Sequence, residues 1–202
     1  MRLLLAALIV HAGEIVSKDR LLEVLWGPQP PEGAGPTLQS HLSHLRRALE
    51  PDRARRQDGG VVITHDPGYV LSVDPDDIDA VRFERLAGEG RRALAAGDPE
   101  AAAERLSRIL ALWRGEPLVE FTFEPFAQTE IARLTELRLR ALEDRVEADL
   151  ALGRHQDVAA ELASLVLDHP LRERLWGQLI LALYRSGRQA EALRTTAVFV
   201  RP

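Results

Sequence analysis

Apolar positions along the chain fall into two regimes separated by a short alternating stretch. Up to residue 49 they come in short helical runs, and beyond residue 78 they recur with helical period almost without interruption. The leucine-rich run 2–11 predicts a first helix stopped at Gly13. Ser17 is placed to cap a second helix, Lys18–Trp26, whose core face is Leu21, Leu22, Val24 and Leu25. The proline- and glycine-rich residues 27–35 read as a loop. A third helix is predicted over 36–49, with Pro36 in its first turn and Leu38, Leu42, Leu45 and Leu49 in one stripe. The face opposite that stripe carries Ser40, Ser43 and Arg47. Thr37 and His44 flank it on one side, Gln39 and Arg46 on the other.

Residues 51–60, with Arg53, Arg55 and Arg56, read as a loop. Strands at 61–64 and 69–73 then flank the turn Asp66-Pro67-Gly68 and make a hairpin. Three helices followed by a hairpin is winged-helix order. An acidic, turn-rich boundary follows at 74–77, and helices are predicted near 79–96, 99–113, 125–152, 155–168, 171–186 and 188–199. Ala151-Leu-Gly-Arg-His aligns with Arg185-Ser-Gly-Arg-Gln, which sets Gly153 and Gly187 34 residues apart, the period of tetratricopeptide helix pairs. Ala95-Ala-Gly-Asp-Pro is a third such turn, with 113–126 as an insertion before the next. The expected fold is therefore mainly α. A winged helix-turn-helix with a C-terminal β-hairpin wing occupies residues 1–73, and an all-α, tetratricopeptide-like repeat domain occupies 78–202.

Charge sharpens this division. The whole chain carries a formal −5, but residues 1–60 hold eight basic and seven acidic side chains, a net of +1. Residues 61–202 hold eighteen basic and twenty-four acidic, a net of −6. Affinity for DNA follows the local field, so an N-terminal DNA module joined to an acidic partner domain is consistent with these numbers. Lys18 is the single lysine against twenty-five arginines, which reads as the coding bias of a GC-rich bacterial genome. The absence of cysteine excludes a disulfide scaffold and thiolate metal sites. Met1-Arg2 followed by Leu3–Val10 has the look of a signal peptide. The apolar run is only eight residues, however, and reads as a buried first helix, too short to span a bilayer.

Enzyme signatures are missing. The chain has no Gly-Lys dipeptide of a phosphate loop, no Gly-x-Gly-x-x-Gly and no Gly-x-Ser-x-Gly, and it calls for no cofactor. His41 and His44 lie one turn apart, but no acid or third histidine stands near enough in sequence to complete a metal site. The polar face of the third helix is the candidate for chemistry. A helix entering the major groove needs short polar side chains for close approach and arginines to reach bases or phosphates. This helix has both.

At these residues the chain resembles a known family. Leu38-Gln-Ser-His-Leu-Ser-His-Leu-Arg-Arg-Ala-Leu49 resembles the recognition helix of OmpR-type winged helices, and Thr64-His-Asp-Pro-Gly-Tyr-Val-Leu71 resembles their wing. Val16-Ser-Lys-Asp-Arg-Leu-Leu-Glu-Val-Leu-Trp-Gly27 is similar to the preceding helix in the Streptomyces antibiotic regulatory protein family. Asp79-Ala-Val-Arg-Phe-Glu-Arg-Leu86, Ala111-Leu-Trp-Arg-Gly115, Ala141-Leu-Glu-Asp-Arg-Val-Glu-Ala-Asp-Leu150, His169-Pro-Leu-Arg-Glu-Arg-Leu175 and Ala182-Leu-Tyr-Arg-Ser-Gly-Arg-Gln-Ala-Glu-Ala-Leu193 are similar to that family's bacterial transcriptional activation domain. The resemblance implies a transcriptional activator that binds double-stranded promoter DNA at direct repeats and contacts RNA polymerase. It implies control of biosynthetic or secondary-metabolite genes, and a cytoplasmic, nucleoid-associated protein with no membrane partner. Homodimerisation through the helical domain is the further expected contact. DNA contacts are expected from Thr37, Gln39, Ser40, Ser43, His44, Arg46 and Arg47, and from Gly68 and Tyr69 of the wing. Family members begin with a small sheet before the first helix and continue past the last, so both ends are expected to be truncated. The competing expectation is an interaction module whose winged helix is degenerate.

Overall fold

The computed structural model describes residues 1–51 and 60–199; Arg53, Arg55 and Arg56 of the expected 51–60 loop all fall outside the described residues. Two compact units result. One comprises residues 1–82 with 115–135, the other 83–114 with 136–202.

In the first unit, α1 (Arg2–Val10) is followed by β1 (Val16–Ser17), α2 (Lys18–Trp26), α3 (Ala34–Leu49), β2 (Val62–His65) and β3 (Gly68–Leu71). Ser17 caps α2 as its residue type requires, its Oγ accepting a hydrogen bond from the Arg20 amide at 3.1 Å. The two-residue β1 is an addition to the expected hairpin. It pairs antiparallel with β3, Val16 opposite Tyr69 and Ser17 opposite Gly68, so the sheet order is β1-β3-β2. The turn between β2 and β3 includes a cis Asp66–Pro67 peptide bond. α3 starts two residues earlier than its proline suggests, from Gly33, whose positive φ of 84° turns the chain out of the loop. Leu38, Leu42 and Leu45 are buried as the stripe demands, while Leu49 at its end is exposed.

Residues 115–135 complete this unit. The linear division at residue 78 makes no provision for that, because the run 113–126 reads only as an insertion. Phe126 and Ala127 are members of the core formed by Leu4, Leu8, Leu21, Leu38 and Leu42, and Leu118, Phe121 and Ile131 pack against it. Phe121 and Phe126 lie with ring centroids 6.3 Å apart. Arg2 forms an ion pair with Glu120.

The second unit is helical. α4 (Asp79–Ala95) and α5 (Pro99–Leu110) bury Phe83, Ala87, Leu106 and Ile109 together with Ala141 and Ala148 of α6 (Pro125–Ala151). α5 ends at Leu110, three residues short of expectation, leaving Trp113 outside the helix and edge-on to Phe83. α6 also packs Leu139, Val146 and Leu150 against α7 (His155–Asp168), α8 (Glu173–Arg185) and α9 (Gln189–Phe199). The three repeat turns close identically. Gly97, Gly153 and Gly187 have φ of 79°, 79° and 77°, a left-handed step that glycine takes without strain. After each, the next amide reaches back to a carbonyl five residues earlier: Asp98 to Ala93, Arg154 to Asp149, and Arg188 to Leu183.

Candidate nucleic-acid interface

The placement of α3 decides which of its side chains are available. One edge of the helix meets the hairpin. Gln39 donates from Nε2 to Tyr69 Oη at 2.5 Å. Arg46 donates from Nε to the Val62 carbonyl and from Nη2 to Thr64 Oγ1, both at 2.8 Å. Thr64 and Tyr69 are cross-strand partners in the β2–β3 ladder, so the two helix residues grip one rung of the wing. On the other edge the His41 ring stacks on the Trp26 indole at 6.3 Å, tying α3 to α2.

Between these two edges the polar face is open. Thr37, Ser40, Ser43, His44 and Arg47 are all exposed. Two hydroxyl hydrogens are already engaged: Thr37 Oγ1 donates to the Gly33 carbonyl at 3.1 Å and Ser43 Oγ to the Gln39 carbonyl at 2.9 Å. Those hydroxyls therefore present lone pairs outward as acceptors, while Arg47 presents donors and positive charge. No acidic side chain lies on this face before Glu50. The sequence overlooked Lys18. Its exposed ammonium lies 3.4 Å from where a Cβ on Gly35 would sit, which adds positive charge at the start of α3. Closeness in space between two elements carries that signal, and periodicity cannot show it.

The expected wing residues lie elsewhere. Gly68 and Tyr69 are buried, the Tyr69 ring within the core with only 4% of its surface exposed. Gly68 pairs with Ser17 of β1. Arg46 is half-buried and held by the strand. Among the described residues no group of three histidine, cysteine, aspartate or glutamate side chains is placed to hold a metal. In the second unit a cleft of about 370 Å³ is lined by Arg91, Glu136, Arg140, Glu143, Asp144, Leu171, Arg172, Glu173 and Arg174. Each of its arginines is paired with a carboxylate, so this charge cluster locks α4, α6 and α8 together.

Comparison with known proteins accords with this geometry. Residues 2–71 match the family model "Transcriptional regulatory protein, C terminal", and residues 78–198 match "Bacterial transcriptional activator domain". The regulatory protein DnrI of Streptomyces peucetius is 42% identical over 195 residues, which cover 95% of this chain and 72% of DnrI. The chain belongs to the Streptomyces antibiotic regulatory protein family. Its members here are longer. The regulatory protein AfsR of Streptomyces coelicolor is 42% identical over 97% of this chain but only 19% of its own length. A solved structure of Mycobacterium tuberculosis EmbR in complex with a low affinity phosphopeptide superposes with a TM-score of 0.91 at 36% identity, covering 98% of this chain and 52% of that one. The first unit thus carries the DNA-binding winged helix of a family of transcriptional regulators. Among the described residues no helix is long and apolar enough to cross a membrane.

Proposed function

We propose that this chain activates transcription by laying α3 in the major groove of promoter DNA. The observation that carries the reading is the open strip Ser40–Ser43–Arg47, framed by α2 on one edge and the wing on the other. Small hydroxyl residues let the helix backbone come close to the base edges, and Arg47 reaches bases or a phosphate. His44 and Thr37 border the strip, and Lys18 supplies a phosphate contact beside the start of the helix. Gln39 reaches the groove from the wing side. Gly68, Tyr69 and Arg46 act mainly by holding the wing against α3.

In this reading the sites are direct repeats, and the protein works in the cytoplasm at the nucleoid. Its targets are biosynthetic genes of the kind controlled by antibiotic regulators. The helical unit contacts RNA polymerase and a second copy of the chain. Net charge beyond residue 60 is −6, which disfavours phosphate, and Leu181, Tyr184 and Leu193 are exposed on α8 and α9. The test is selection from a randomised duplex library followed by mobility-shift titration at two salt concentrations. Enrichment of a defined sequence with salt-sensitive binding supports the reading. A chain that enriches nothing and binds no duplex refutes it.

A further inference from the structure

The contact between Gln39 and Tyr69 has a chemical asymmetry that bears on base choice. A primary amide offers two N–H donors and one carbonyl acceptor. The terminal torsion of a free glutamine is broad and nearly two-fold, so an unrestrained amide turns over and presents either edge. Here it is restrained: Nε2 donates to Tyr69 Oη at 2.5 Å, while the Gln39 side chain itself is exposed at the border of the open face. The partner hydroxyl is fixed in its turn. Tyr69 is 4% exposed, its ring is part of the core, and its strand is paired on both sides. Arg46, two turns further along the same helix edge, bonds Thr64, the rung partner of Tyr69, so the hydroxyl cannot drift relative to the helix.

We propose that Tyr69 is a positioning residue for specificity: its hydroxyl holds the Gln39 amide with one acceptor and one donor facing the groove, which selects adenine at one base pair. The inference rests on the groove-reading role of α3. With the N–H remote from the carbonyl engaged by tyrosine, the carbonyl and the other N–H lie side by side. That pair matches the adenine major-groove edge, where the N6 amino group donates and N7 accepts. Guanine presents two acceptors there and would leave the glutamine carbonyl facing a lone pair. Sequence specificity therefore depends on a buried wing residue that itself touches no base.

Tyr69→Phe removes the hydroxyl and keeps the ring in the core. The experiment is selection from a randomised duplex library with the whole chain, Tyr69→Phe, Gln39→Ala and the double variant, together with thermal melting of each. The expected result is an adenine position in the parent motif at which Tyr69→Phe lowers the preference about tenfold, equivalent to about 1.4 kcal/mol, with other positions unchanged and melting retained. Gln39→Ala changes the same position, and the double variant is no worse than Gln39→Ala, because the hydroxyl acts only through the amide. An unchanged Tyr69→Phe motif overturns the proposal. So does a uniform loss across all positions with a lowered melting temperature, which would make the contact a structural tie alone. If the parent chain enriches no sequence, the groove-reading role falls first and this inference with it.

Discussion

A Cβ built on Gly68 would lie 1.9 Å from the carbonyl oxygen of Val16. Gly68 stands opposite Ser17 where β3 runs beside β1, and the obstacle is the backbone just before that partner, which cannot swing aside as a side chain can. Gly68→Ala must therefore push the strands apart, at a cost of about 1–3 kcal/mol or more. Thermal melting of the variant is expected to fall by several degrees, with DNA binding lost in proportion. A Gly68→Ala protein that melts like its parent but fails to bind would instead return this glycine to the DNA surface.

Arg46 and Arg47 are neighbours with opposite duties. Arg47 is exposed on the open strip, so Arg47→Ala is expected to weaken duplex binding and lower its salt dependence while leaving melting unchanged. Ser43→Glu should weaken binding further, because it sets an anion against phosphate. Arg46→Ala removes the bonds to Val62 and Thr64, so it is expected to lower melting, by about 1–3 kcal/mol for a charged hydrogen-bond donor. Mobility shifts at two salt concentrations and melting curves separate the two. Equal effects of the two alanine variants on both readouts would contradict the assignment.

Leu38, Leu42 and Leu45 of the α3 stripe, the Ser17 cap and the glycine turns 34 residues apart are periodic or local signals, and each lies where its pattern places it. The open strip was legible for the same reason, since one helix wheel defines it. What periodicity cannot carry is contact between distant segments. Gln39 and Arg46 read as helix-face residues with no tie to the wing until it packs beside them, and Tyr69, expected to touch DNA from the start of its strand, turns out to fill the core. The strand Val16–Ser17 is too short to alternate, and only pairing with β3 makes it a strand. Residues 118–131 carry apolar side chains, but nothing local says which core they join.

Acid should loosen the helical unit. Burial disfavours ionisation of Glu136, yet hydrogen bonds from Arg172 and Arg140 outweigh it and hold the carboxyl below its ordinary value of 4.5. A lowered folded-state pKa means the stabilisation is complete above 4.5 and is lost as pH falls below that value through the lowered one. Glu136→Gln is therefore expected to lower melting at neutral pH. The partners are partly exposed, so the shift is a few degrees at most. The gap to the parent should close under acid. A gap that widens as pH falls would show the sign to be wrong.

Phe126 supplies a test of a different kind. It lies within the stretch matched by the activator-domain family, yet it is 8% exposed inside the winged-helix core. Phe126→Ala should cost about 3–5 kcal/mol, and hydrogen exchange should register it first in the amides of α1 and α3. Faster exchange confined to α7, α8 and α9 would assign the ring to the other core.

Family likeness divides this chain end to end, while packing interleaves it. A genetic exchange that spliced a new activator segment after residue 77 would carry away Phe121, Phe126 and Ile131, and with them part of the core that Leu38 and Leu42 of α3 share. Such hybrids would need an incoming segment that brings a matching set of side chains. The two halves are thereby bound to be inherited as a pair, and variation in one constrains what the other can accept.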